Sequence, residues 1–231
     1  MSPKYKAFTL AEVLITLGIV GIIAAITIPN LINNYKAKRL RTQFLKTYST
    51  IAQTIKLMEN DDISTDLTSY TNNTRHITFA KYMTNTTICS GFTGEALKTP
   101  EGCYDYKTSY DDGYKALTSK SYITDGVYND GQLLLPTGAL IFFDDCPKRE
   151  GYKGCRIYAD INGLNEPNRM GYDFFAFEVL DGTLYPVGGP QTDYMVKNDC
   201  NFDKPNQMGF TCSQKAMSDS DYFKKVVKQI K

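Results

Sequence analysis

The sequence predicts an α+β protein. A long N-terminal helix, membrane-spanning in its first half and amphipathic in its second, packs on an antiparallel β-sheet head that contains disulfides. Three observations carry that reading. Residues 8–28 form an apolar stretch whose only charge is Glu12. Apolar residues then recur at helical spacing as far as Met58, and β-type segments cluster between 131 and 187. All six cysteines (Cys89, Cys103, Cys146, Cys155, Cys200, Cys212) lie in the C-terminal part.

The apolar stretch comes first. At ~1.5 Å per residue, 8–28 spans ~31 Å, which matches the ~30 Å hydrocarbon core of a bilayer. That is longer than the core of a secretory signal peptide. Beyond it Leu31, Tyr35, Leu40, Phe44, Tyr48, Ile51, Ile55 and Met58 recur mostly at steps of three and four, one face of a helix. One helix is therefore expected from about Phe8 to about Asn60. Pro29 lacks an N–H and crowds the preceding turn, so a kink or local break is expected there. Gly18 and Gly21 are weak points that let another membrane helix approach closely. Glu12 needs a separate reason, because an ionised carboxylate in hydrocarbon costs a few kcal/mol.

Residues 61–131 are rich in Thr, Ser, Asn, Asp, Gly and Tyr. They read as a long irregular connection with a short helix around 77–83, a length that suggests a functional surface or a loosely ordered segment. "GQLLLPTGALIFFDD" (131–145) is a hairpin pattern, and "CRIYADI", "DFFAFEVL" and "TLYPV" continue an antiparallel meander through Asp181-Gly182. "SDSDYFKKVVKQIK" reads as a helix capped by Ser218 or Ser220, with Phe223, Val226, Val227 and Ile230 on one face. Neighbour pairing of the cysteines (Cys89–Cys103, Cys146–Cys155, Cys200–Cys212) closes the shortest loops and is the expected connectivity. An even count in one part of the chain points to an oxidising compartment.

Charge and chemistry exclude more than they assign. Of 26 basic and 25 acidic residues, seven basic and one acidic fall within 1–46, which leaves the remainder acidic. Such a head lacks the positive charge of a nucleic-acid binder, although Lys148, Arg149, Lys153 and Arg156 could form a local patch. His76 is the only histidine and is expected to pack or sit on the surface. The acid pairs Asp111-Asp112 and Asp144-Asp145 are expected to be solvated ends. The tyrosines could form a binding surface. "DINGLNEPN" groups Asp160, Asn162, Asn165 and Glu166, with Asp173 close by. It fails the EF-hand spacing, so an Asx-rich turn is expected before a structural calcium. No catalytic residue, metal site or cofactor is expected.

The segment "KYKAFTLAEVLITLGIVGIIAAITIPNLI" (4–32) resembles the N-terminus of type IV prepilins and of type II secretion pseudopilins. The likeness rests on a short basic leader, Phe8, Glu12 five residues into the mature numbering, and Pro29 after the apolar stretch. Residues 160–179 are similar to a stretch in some pseudopilin-like heads. The resemblance implies a pilin-like fold and a leader at 1–7 removed between Ala7 and Phe8 by a prepilin peptidase. Glycine usually precedes that cut; Ala7 is the next smallest residue. It further implies N-methylation of Phe8 and a membrane half-helix at 8–29, followed by an amphipathic half at 30–60 and a head at 61–231. Glu12 would pair with the Phe8 amine of a neighbouring subunit, with Gly21 and Pro29 also serving assembly.

The partners implied are other pilin or pseudopilin subunits, the peptidase, an inner-membrane assembly platform and the lipid bilayer, with no nucleic acid. The positive-inside count, with Lys36, Lys38, Arg39 and Arg41 after the segment, would put the head in the cytoplasm. The cysteines and the resemblance put it outside. The function expected is a non-enzymatic, minor filament subunit, with a filament-tip interaction module as the alternative and a membrane-anchored enzyme as a weaker one.

Overall fold

The structure, a computed structural model, describes residues 8–70, 74–89, 99–106, 113–144, 155–192 and 199–230. Helix α1 (Leu10–Asn60) is continuous through Pro29. The expected break is therefore absent. Proline removes one backbone bond, and polar side chains occupy the carbonyls around it. Thr27 Oγ1 donates to the Ile23 carbonyl at 2.8 Å and Asn30 Nδ2 to that of Ile26 at 3.4 Å. Such local bonding lets a membrane helix tolerate proline.

The periodicity expected along α1 holds only from its middle onward. Ala37, Leu40, Phe44, Thr47, Ile51, Thr54, Ile55 and Met58 are buried, with Tyr48 half-buried beside them. Leu31 and Tyr35, expected on the same face, are 70% and 67% exposed. The head simply does not reach that far back along the helix. Phe44 anchors the contact, its ring 4.8 Å from Phe175, 5.8 Å from Phe177 and 5.8 Å from Phe223.

Among the described residues six antiparallel strands form one sheet in chain order: β1 (Thr87–Cys89), β2 (Gln132–Leu134), β3 (Leu140–Phe143), β4 (Cys155–Asp160), β5 (Phe174–Leu180) and β6 (Thr183–Pro186). The five strands read from the hairpin and meander are present as β2 to β6, and Asp181-Gly182 turns β5 into β6 with positive φ at both residues (46° and 68°). Strand β1 was not expected, because three residues in a polar stretch carry no alternation signal. The helix near 77–83 is α2 (Arg75–Tyr82).

Both faces of the sheet are covered. Ile141, Phe143, Ile157, Ala159, Phe175 and Phe177 face α1 and the C-terminal helices. Phe142, Tyr158, Phe174 and Ala176 face a second cluster with Tyr104, Tyr106, Tyr114 and Tyr128. The 99–130 region, expected to be loosely ordered, thus forms a packed third layer in its described parts. Tyr104, Tyr106, Tyr114 and Tyr128 are core rather than a binding surface. Tyr114 stacks on Phe174 with ring centroids 3.8 Å apart. The amide of Gln132, fully buried on β2, bonds the Tyr104 backbone in both directions at 2.9 and 2.6 Å. Cys89–Cys103 fastens that layer to β1.

The C-terminal end holds two helices, α3 (Cys212–Ser218) and α4 (Tyr222–Gln229), where one was expected. Ser218 ends α3 and Asp221 precedes α4, so neither expected serine caps it. Phe223, Val226 and Val227 are buried against α1 as their spacing indicates. Cys200–Cys212 is the second disulfide. The third expected pair involves Cys146, outside the described residues.

Candidate functional site: the N-terminal segment and the helix–head junction

Thr9 is the N-cap of α1, and its partner is Glu12. The Glu12 carboxylate accepts from the Thr9 N–H at 2.7 Å and from its hydroxyl at 2.8 Å, while Thr9 Oγ1 accepts from the Glu12 N–H at 3.3 Å. This reciprocal capping box satisfies orphan donors at the helix start and sets a negative charge against the positive end of the helix dipole. It is a second reason for the carboxylate, beyond the one the resemblance implies. The signal was present in Thr9-Leu10-Ala11-Glu12, a T-x-x-E before an apolar run. The helix therefore begins at Leu10, two residues after Phe8, which is itself exposed; Ala7 lies outside the described residues.

Nothing among the described residues covers this part of α1. No residue from Phe8 to Lys36 is buried. A Cβ added at Gly18 or Gly21 would meet nothing within 4 Å, so no intramolecular contact calls for glycine at either position. The helix is the one described element long and apolar enough to cross a membrane.

The β4–β5 corner contains the other polar grouping read from the sequence. Asp160 and Asp173 are fully buried. Asp160 accepts from the Asn162 N–H at 3.1 Å and from the Tyr114 hydroxyl at 2.8 Å. Asp173 accepts from the backbone N–H groups of Arg169 (2.6 Å) and Asn168 (3.1 Å) and from the Asn162 amide at 3.4 Å. Burial raises the pKa of both acids, that of Asp173 to about 7, and burial beside Asp160 drives the Tyr114 hydroxyl well up. Every carboxylate oxygen here faces a donor. The arrangement is that of an Asx-rich turn, and among the described residues no group of three or more His, Cys, Asp or Glu could hold a metal.

The remaining candidates become structural. His76 is buried on α2, and burial lowers its pKa. Its ring lies against Gly131, whose φ of 126° and lack of a Cβ make room for it. Arg156 is buried and paired with Glu178 at 3.3 Å, which removes it from any surface patch; Lys148, Arg149 and Lys153 lie outside the described residues. Asp144 is buried, its carbonyl accepting from Arg75, and is not a solvated end. Asp145, Asp111 and Asp112 lie outside the described residues.

Residues 2–28 match the family model described as the prokaryotic N-terminal methylation motif. The chain carries a prepilin-type cleavage and methylation segment. No curated protein and no solved structure gives a significant match. The prepilin-type segment ends nine residues before Ala37, the first residue of α1 buried against the head. It contains the capping box, both unexplained glycines and most of the exposed apolar surface.

Proposed function

We propose that the chain is a minor structural subunit of a type IV pilus or type II secretion pseudopilus. The prepilin-type segment supports the broader statement, a pilin- or pseudopilin-like substrate of the processing machinery. In this reading residues 1–7 are removed at Ala7–Phe8, Phe8 is methylated, and residues 8–29 hold the subunit in the inner membrane with residues 61–231 outside the cytoplasm. The subunit then docks with other pilin or pseudopilin subunits on an assembly platform. Its role is structural rather than catalytic.

One observation carries the reading. The described part of the prepilin-type segment leads into a helix that continues without interruption into the head, yet its apolar side chains bury against none of the described residues. A helix apolar all round belongs in lipid or in a protein core, and a filament of parallel helices supplies the second. There Glu12 would face the Phe8 amine of the next subunit, a pairing that rewards correct register because an unpaired desolvated charge is penalised. Gly21 would permit close approach and Pro29 would ease bending.

The capping box makes the test specific. Glu12→Gln keeps an acceptor for Thr9 but loses the charge, whereas Glu12→Ala loses both. Both variants are expected to be processed, with the mature mass beginning at Phe8, and to be missing from sheared filaments or from the secretion-competent complex. Normal incorporation of Glu12→Gln would show that capping suffices and that charge pairing is not used.

A further inference from the structure

Helix α1 meets the head at a cleft of about 180 Å³ between its first basic turn and the β4–β5 corner. The cleft is lined by Lys36, Arg39 and Gln43 from α1 and by Asn162, Glu166 and Tyr172 from the corner, among others. Lys36, Arg39 and Gln43 fall three and four residues apart and so share one helix face. Among the described residues neither Lys36 nor Arg39 has an ion-pair partner, although Glu166 lines the same cleft. Gln43 Oε1 and Asn162 Oδ1 are buried acceptors without a hydrogen-bond partner. The corner is held in place from behind: Asn162 and Asn165 exchange side-chain-to-carbonyl bonds at 3.0 and 2.6 Å, and Asp173 anchors the loop backbone. A cleft of this size has room for roughly six waters at ~30 Å³ each, or for a small charged group.

Its height along α1 says where such a group would come from. Ile32 is the last exposed aliphatic residue before the cleft, followed by the exposed Tyr35. Lys36 lies about 6 Å and Arg39 about 10 Å further along the axis. Side chains on a helix lean toward its N-terminus, so both cations reach back toward the bilayer. With residues 8–29 inserted, they are among the first cations past the hydrocarbon, and their side chains extend back to the headgroup layer.

We propose that this cleft binds one phosphatidylethanolamine headgroup from the leaflet facing the head. Lys36 and Arg39 take the phosphodiester, and the ammonium donates to the exposed carboxylate of Glu166. A purely anionic headgroup would leave Glu166 facing phosphate. Phosphatidylcholine would leave Glu166 without a hydrogen-bond donor, since its ammonium carries no N–H. The proposal rests on the membrane-held stage of the function above and adds a lipid contact that fixes how deep the head sits.

The test uses the full chain extracted from membranes in mild detergent. It is offered phosphatidylethanolamine, phosphatidylglycerol, phosphatidylcholine or inorganic phosphate and read by native mass spectrometry. One phosphatidylethanolamine should be retained in preference to the other lipids. Lys36→Ala/Arg39→Ala should lower retention roughly tenfold. Glu166→Gln should abolish the preference over phosphatidylglycerol while leaving phospholipid binding itself. All three positions are exposed, so the fold is expected to survive these changes.

Equal or better retention of phosphatidylglycerol by the unmodified chain overturns the proposal, as does binding unchanged in the double variant. Capture of inorganic phosphate without lipid selectivity assigns the cleft to a free anion and also overturns it. A chain recovered wholly in the soluble fraction contradicts the membrane stage of the proposed function itself, a failure distinguishable from loss of selectivity in an integral protein.

Discussion

The two halves of α1 share one helix but not one environment. From Phe8 to Lys36 nothing is buried, and as far as Ile28 the surface is apolar on nearly every side. From Ala37 onward, a single stripe is buried and mostly polar residues, with Leu45 and Leu57, occupy the rest. Helix propensity does not distinguish the halves; the partner does. The second half is completed by its own head, whereas the first is completed only by lipid or by another molecule. The same side-chain chemistry thus contributes to folding in one half and to location and assembly in the other.

The sharpest way to break this comparison is to cut one side chain in each half. Phe44→Ala should destabilise the head by about 3–5 kcal/mol, because it removes a fully buried ring packed on three others. Denaturant unfolding of the full chain in detergent, followed by tyrosine fluorescence, would measure it.

A pH series sharpens the contrast, since the buried ionisable groups belong to the head. The folded-state pKa of Asp173 is raised to about 7, so the acid pair's contribution is complete below about 4, the ordinary aspartate value. It is lost progressively as pH rises through 7, with a slope of up to about 1.4 kcal/mol per pH unit for each proton held. His76 acts with the opposite sign. Its pKa is lowered by burial, so its contribution is present above about 6.5 and is lost as pH falls below that value. Asp173→Asn should therefore make the stability profile between pH 5 and 6.5 fall less steeply, with the buried Asp160 still contributing its own fall. An unaltered profile would show that the pair ionises normally.

Smaller effects complete the series. Tyr48→Phe removes the hydroxyl that donates to the Leu184 carbonyl at 2.9 Å and should cost about 1 kcal/mol in the same unfolding assay. Leu14→Ala, in the exposed half, should leave head stability within about 0.5 kcal/mol. A larger shift would mean that the first half of α1 supports the head after all.

Residues that obeyed one period were legible in the sequence. Leu40, Phe44, Ile51 and Ile55 announced the buried face, and "DFFAFEVL" announced β5. The same face was overextended to Leu31 and Tyr35, because helical spacing does not say where a partner ends. The third layer escaped for a different reason. Tyr104, Tyr114 and Tyr128 lie in irregular backbone, held by Gln132, a disulfide and Asp160, none of which has a local sequence period. One clue was available: runs such as Leu140–Phe143 lack alternation, as expected when both faces of a sheet are covered. The candidate site followed a similar pattern. Glu12 stood out as a charge in an apolar stretch, yet its bond to Thr9 was missed. The cleft at Lys36 and Arg39 could not be read at all, because the residues opposite them lie more than a hundred positions away.

The sheet's two outer strands have a consequence for crowding. An unpaired strand edge can recruit a strand from another molecule, a route to aggregation. Here β1 is three residues long and clamped by Cys89–Cys103, while β6 is four residues long and ends at Pro186, which has no N–H to offer. Copies pressed together side by side would find little backbone to zip onto. Heads could then be stored at high density and still associate by helix rather than fuse by sheet.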